Sequence, residues 1–294
     1  MKQSKDYRNG IISVLACQTM WGFLPIFWQA IKPIDSWIII LYRVFTMFIY
    51  CLIAARLKYD WNEIFGPLKQ KKIRRKYFVA GAVLTANWSI YIWAINSERV
   101  LQTAIGYYIE PLIICLFGVI LFHEKLTKWN ITALGLAGCA ILLILIHFGQ
   151  LPMVALGLCL TWATYSAVKK TSELPPVIAM TYETMPYAVL ALVGIIYVES
   201  HGMGGFSYGE PLKYSLMLLS GLVTLIPVAL FAVAAKKVSL QIIGMAQYIS
   251  PTISFLLGVF VFREELDPVQ LIAFGIVWIG LVFFTIGEFK GHSE

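Results

Sequence analysis

Apolar runs near 11–31, 36–55, 77–96, 100–122, 127–147, 151–168, 177–198, 213–235, 238–262 and 268–287 each reach or approach the roughly 20 residues that a helix needs to cross the hydrocarbon core of a bilayer. In hydrocarbon every backbone N–H and C=O must be satisfied within the protein, so runs of this length can only be helices. Composition agrees, since the chain is 59% hydrophobic and 13% charged, too little polar surface to face water all round. The reading is an all-α integral membrane protein of ten transmembrane helices. The first run is too long for a signal-peptide core and no small-x-small site follows it, so it is expected to stay as the first helix.

The chain also repeats itself. Residues 106–135 and 246–275 agree without a gap at 12 of 30 positions, including Tyr108/Tyr248, Pro111/Pro251, Gly118/Gly258, Glu124/Glu264 and Gly135/Gly275. Apolar composition alone does not align Pro, Gly and Glu. Trp21 pairs with Trp162, and Tyr42-Arg43 with Tyr182-Glu183, more weakly. The halves are expected to be residues 1–148 (spans 1–5) and 149–294 (spans 6–10). Five spans per half is an odd number, so the second half enters the membrane from the opposite side, and the repeats are inverted around a central cavity. Such an architecture suits alternating access.

Counting Lys and Arg orients the chain. With the N-terminus inside, 18 fall on the cytoplasmic side, Lys169 and Lys170 among them, and 4 on the other, with Arg43 within a span. Both termini are therefore expected in the cytoplasm. These loops account for the net charge of +7, and the basic run from Gln70 to Lys76 reads as a lipid-headgroup contact, with no nucleic acid implied. The five cysteines are spaced for neither a disulfide frame nor a metal site, and no metal or cofactor is expected.

The segments Asn87-Trp-Ser-Ile-Tyr-Ile-Trp-Ala-Ile-Asn96, Gly106-Tyr-Tyr-Ile-x-Pro111, Gly118-x-x-x-Phe122-x-Glu124 and Gln247-Tyr-Ile-x-Pro251-Thr resemble the RarD branch of the drug/metabolite transporter superfamily, built from two EamA repeats. Trp21-Gly-x-x-Pro25, Arg43-Val and Glu183-Thr fall where that family has them. The resemblance covers roughly residues 8–288. It implies a multi-pass carrier of the bacterial inner (plasma) membrane, monomer or homodimer, that exports or exchanges a small metabolite or drug such as an amino acid or an amphenicol. Three positions depart from the family pattern: Glu110 replaces an Asn, Tyr42 a His and His123 a Gly. A carboxylate in place of an amide at position 110 bears on substrate choice and ion coupling.

Charges within the spans are Arg43, Glu110 and Glu183, each of which needs a protein or water partner at membrane depth. One reading ties Arg43 to Glu183 or Glu110 as a structural pair. The other gives Arg43 a substrate carboxylate, and gives Glu110 or Glu183 the coupling proton. Pro111 and Pro251 each remove a backbone hydrogen bond and break the helix ladder, freeing a carbonyl one turn back. Tyr107, Tyr108, Gln247 and Tyr248 are then expected on the cavity wall. Asn87 and Tyr91 share one helix face beside Trp88 and read as substrate-lining, with Asn87 as interhelical glue the alternative. Trp21, Trp162 and Tyr165 are weaker candidates, because aromatics near helix ends often belong to interfacial belts. Glu124 and Glu264 are expected to cap the helix that follows each.

No HExxH, GxSxG or Walker A sequence is present and the four histidines sit at span ends or in loops, so an enzyme is not expected. A proton-coupled secondary carrier is the reading, and a non-transporting membrane receptor or assembly protein is the alternative.

Overall fold

The computed structural model describes residues 2–96, 100–149, 153–261, 263 and 268–291. These form an all-helical array: α1 (Lys2–Ile31), α2 (Ser36–Arg56), the short α3 (Trp61–Phe65), α4 (Lys71–Asn96), α5 (Val100–Phe122), α6 (Lys128–Phe148), α7 (Met153–Lys170), α8 (Pro176–Ser200), α9 (Pro211–Lys237), α10 (Leu240–Gln247), α11 (Ile249–Phe260) and α12 (Pro268–Gly291). Glu264 lies outside the described residues.

Local sequence sets the helix ends. Asp35, Thr127 and Ser239 accept hydrogen bonds from Trp37 N, Asn130 N and Ile242 N, at 2.8, 3.2 and 3.2 Å, and so cap α2, α6 and α10. Prolines open α8, α9 and α12, where a missing N–H costs nothing.

Among the described residues, seven helical segments are long and apolar enough to cross a membrane: most of α1, then α2, α6, α8, α9, α10 with α11, and α12. The stretch Gly106–Phe122 of α5 is a shorter apolar helix. The expected third and sixth spans correspond to α4 and α7, which are not among these seven although they are 26 and 18 residues long. They carry Asn87, Trp88 and Tyr91, and Thr161, Trp162 and Tyr165, polar and aromatic groups turned to other uses.

The helices pack in a definite pattern: α1 on α9 and α11, α2 on α8 and α9, α4 on α7 and α8, α5 on α7 and α10, and α6 on α12. Two glycines permit the tightest crossings. A Cβ at Gly81 of α4 would collide with the backbone carbonyl of Glu183 in α8, and one at Gly221 of α9 with the backbone of Met47 in α2.

At the end of the molecule that bears the lysine-rich turns, here termed the basic end, polar bonds link distant segments. Lys237 pairs with Asp6 at 2.9 Å, Lys170 Nζ donates to Val238 O at 2.9 Å, Lys76 Nζ donates to Thr171 O at 2.6 Å, and Tyr182 OH donates to Ile64 O. At the opposite end Asp35 N donates to Tyr208 OH at 3.3 Å and Tyr42 OH donates to Glu199.

Two sequence expectations are corrected here. Glu124 does not cap α6, a task that falls to Thr127. Its carboxylate accepts from Leu240 N at 2.8 Å and Gln241 N at 3.1 Å, capping α10 in the other half, and it pairs with Lys170 at 3.1 Å. Replacing Glu124 with Ala is expected to destabilise the protein by about 2 kcal/mol, the upper range for a lost helix cap. A melting curve in detergent checks this; a wild-type midpoint with lost transport would contradict it. Second, Pro111 leaves α5 unbroken, whereas the helix carrying Pro251 divides after Gln247. Pro251 stands in the first turn of α11, where a missing donor is tolerated, and the ladder has already ended before it.

Candidate functional site: an arginine and a glutamate among aromatics

Five helices bring the site together. From α2, Arg43 lays its guanidinium over the ring of Trp88 at 4.1 Å to the centroid, with the Trp28 ring of α1 at 5.6 Å. Tyr91 stands one turn beyond Trp88 on α4, its ring 6.4 Å from that of Tyr107 on α5. The charge of Arg43 reaches both phenols, and Tyr107 in turn feels Glu110, one turn along α5. Glu110 Oε1 accepts from Gln247 Nε2 of α10 at 3.2 Å.

Arg43 forms no ion pair among the described residues, and its Nε is buried without a hydrogen-bond partner. Cation–π contact with two indoles holds the guanidinium flat and leaves its edge available.

Exposure falls along one direction. Tyr107 is 43% exposed and stands among Tyr91, Arg43 and Glu110. Arg43 and Glu110 are half-buried, Gln247 is 5% exposed, and Tyr165 is fully buried. Towards the basic end the space is therefore closed by buried side chains.

The seal is aromatic. Trp21 of α1 meets Trp162 of α7 edge to face at 5.3 Å, and Phe231 of α9 packs against Trp162 at 5.2 Å and Tyr165 at 6.4 Å. Trp21, Trp162 and Tyr165 are thus core residues, not members of an interfacial belt, because they lie within their helices where three helices cross. Phe231 went unremarked in the sequence, as did Trp28.

Other expected members are elsewhere. Tyr108 is buried against Phe274 of α12 at 5.0 Å, and Tyr248 OH donates to Tyr108 O at 3.0 Å. Both belong to the core between α5, α10 and α12, because consecutive helix residues point about 100° apart and only Tyr107 faces the space. Asn87 spends its amide on α7, donating to Leu158 O and Thr161 Oγ1, each at 2.9 Å. It therefore joins α4 to α7.

Glu183 is not paired with Arg43. Lys169 Nζ lies 2.7 and 2.8 Å from its two carboxylate oxygens and Tyr165 OH donates to it at 2.9 Å, with both charged side chains 1% exposed. Lys169, expected in a loop, is a buried residue of the last turn of α7. The spacing Tyr165-x-x-x-Lys169, one turn on a single helix face, was the signal available in the sequence.

Several buried polar atoms have no protein partner: Gln18 Nε2, Arg43 Nε, Trp162 Nε1 and Gln247 Oε1. An unmet buried donor or acceptor costs about 1–3 kcal/mol, so these positions call for water or a ligand. A depression of about 520 Å3 lined by Tyr7, Glu124, Lys170, Lys236 and Lys237 lies apart from this site, at the basic end.

Comparison with known proteins now adds identity to geometry. The EamA-like transporter family model matches residues 8–146 and again 152–286. The chain is 30% identical over 292 residues to the uncharacterized transporter YojE of Bacillus subtilis, covering 98% of this chain and 97% of that one. It is 31% identical to Protein RarD of Streptomyces exfoliatus, over 97% and 90% of the two chains, and 29% identical to Protein RarD of Escherichia coli, over 96% of each. A solved crystal structure at 15% identity superposes with a TM-score of 0.72 over 94% of this chain and 97% of its own length, a likeness of fold. The chain is a multi-pass membrane transporter that belongs to the EamA-like family, as a RarD-like member of the drug/metabolite transporter superfamily.

Proposed function

We propose that this protein is a secondary carrier that moves a small polar or amphipathic organic molecule, outward and coupled to protons, by alternating access between two inverted five-helix halves, residues 1–148 and 149–294. The observation that carries the reading is the packing pattern. Exchanging each helix for its counterpart in the other half turns α1·α9 into α7·α4, α2·α9 into α8·α4 and α1·α11 into α7·α5, while α2·α8, α5·α10 and α6·α12 map onto themselves. A bundle whose contacts survive exchange of its halves has two related arrangements, the requirement for alternating access.

The site favours a substrate with separated polar ends. Arg43 offers an unpaired planar fork for a carboxylate or nitro group, Glu110 offers an acceptor for an ammonium or amide, and Trp28, Trp88, Tyr91 and Tyr107 supply apolar faces between them. Amino acids and amphenicols both meet this description. Glu110 is the coupling group, and the space it faces opens at the end opposite the basic one, so that protons and substrate reach it by the same route.

Counterflow into proteoliposomes tests the proposal. Labelled amino acids, other metabolites and an amphenicol are offered to wild type and to Glu110→Gln, with and without a pH gradient. Wild type is expected to accumulate one compound, and Glu110→Gln to keep counterflow while losing the response to the gradient. Folded protein that accumulates nothing would overturn the carrier reading in favour of a receptor, and a full gradient response in Glu110→Gln would move coupling elsewhere.

A further inference from the structure

The buried Lys169–Glu183 pair has no part in the site, yet it occupies a junction of four helices. Lys169 and Tyr165 belong to α7 and Glu183 to α8 in one half. The first half covers them: Gly81 of α4 touches the Glu183 backbone so closely that no Cβ fits, and Cys51 of α2, itself fully buried, lies within electrostatic reach of both charges. Tyr165 ties the pair to the aromatic seal through Trp162 at 5.4 Å and Phe231. Access from the basic end to the Arg43–Glu110 space must therefore disturb this junction.

The repeat gives the pair a counterpart. Tyr182-Glu183 aligns with Tyr42-Arg43, and with Trp21 set against Trp162, Trp28 falls on Lys169. Arg43 contacts Trp28 as Glu183 contacts Lys169. One of these related junctions is half-exposed and the other is dry, as expected if an otherwise symmetric machine is closed at one end only.

We propose that Lys169, Glu183 and Tyr165 form the gate of the basic end, dry and paired when that end is shut and hydrated when it opens. This inference rests on the carrier reading above. Its physical consequence is a sign reversal. Removing one partner strands the other charge in a dry site and disfavours the shut state, whereas replacing both by apolar residues removes the desolvation penalty and favours it.

Cys51 reports the state, and protein carrying it as the sole cysteine, the other four replaced by Ala, is labelled in nanodiscs with a hydrophilic thiol reagent. Folded Glu183→Gln is expected to label at least about fivefold faster, and the double variant Lys169→Met/Glu183→Leu at least about fivefold slower, than the parent. If Glu183→Gln does not fold, Tyr165→Phe, which removes one hydrogen bond to the carboxylate, is expected to raise the rate about threefold. Rates that move in the same direction in the single and double variants, or that do not move, overturn the gate. Absence of wild-type counterflow sinks the carrier reading instead, so the two failures are separable.

Discussion

Gly81→Ala is expected to remove most of the folded protein from the membrane, the largest stability effect of any single methyl in this chain. The added carbon would overlap a backbone carbonyl, that of Glu183. A flexible side chain can rotate away from such a clash, but a helix backbone cannot. Either α4 retreats from α8 or α8 bends, and each loosens the Lys169–Glu183–Tyr165 cluster at the same point. Overpacking costs about 1–3 kcal/mol in ordinary cores. Here disruption of the buried charged cluster adds to it, so about 3 kcal/mol or more is expected, a large share of the roughly 5–15 kcal/mol that holds a typical protein folded. Size-exclusion profiles of detergent-solubilised protein and a thermal melt measure the effect, and a wild-type profile and midpoint would refute the close crossing.

Arg43→Ala is expected to act in the opposite way, leaving folded yield near wild type and removing transport. Arg43 forms no ion pair among the described residues, so its loss strands no partner charge. A hydrogen bond to a charged group contributes about 1.5–3 kcal/mol, which converts to about a 10- to 150-fold loss of apparent affinity for a substrate held by that bond. Arg43→Lys is expected to recover only part of it, because an ammonium neither lies flat on Trp88 nor offers two parallel donors. Counterflow measured across substrate concentrations distinguishes the outcomes. Unchanged affinity in folded Arg43→Ala would move the substrate away from this residue.

The sequence was most legible where hydrophobicity and chain punctuation act locally. Among the described residues the apolar runs fall largely on helices, and caps such as Thr127 or an opening proline such as Pro211 are written beside the helices they serve. It was least legible where a residue's partner is far along the chain. Glu124 looked like a cap for its nearest helix, but its carboxylate reaches residues 116 and 117 positions away. Arg43 and Glu183 looked like partners because each needed one; helix order instead gave Glu183 a lysine 14 residues away and Arg43 two indoles. Tyr107 and Tyr108 were indistinguishable by composition, and the rotation of α5 decided which faces the space. Recognition of Arg43 and Glu110 came from the cost of charge in a membrane, and that of Tyr91 and Trp88 from their place with Asn87 on α4, signals that need no knowledge of tertiary contacts.

The unequal behaviour of the two prolines makes one half a rod and the other a jointed arm. α5 runs unbroken through Pro111 from Val100 to Phe122, while its counterpart divides after Gln247 into segments of 8 and 12 residues. Bending at an existing joint costs less than opening one in an intact helix, so the two halves do not exchange shapes at equal expense. In the alternating-access carrier proposed above, the consequence would be a bias: an idle population facing predominantly one way, and a lower barrier to the empty return for net flux in one direction than in the other. Directionality of this kind would reside in a single interrupted turn beside Tyr248, upstream of any choice of substrate.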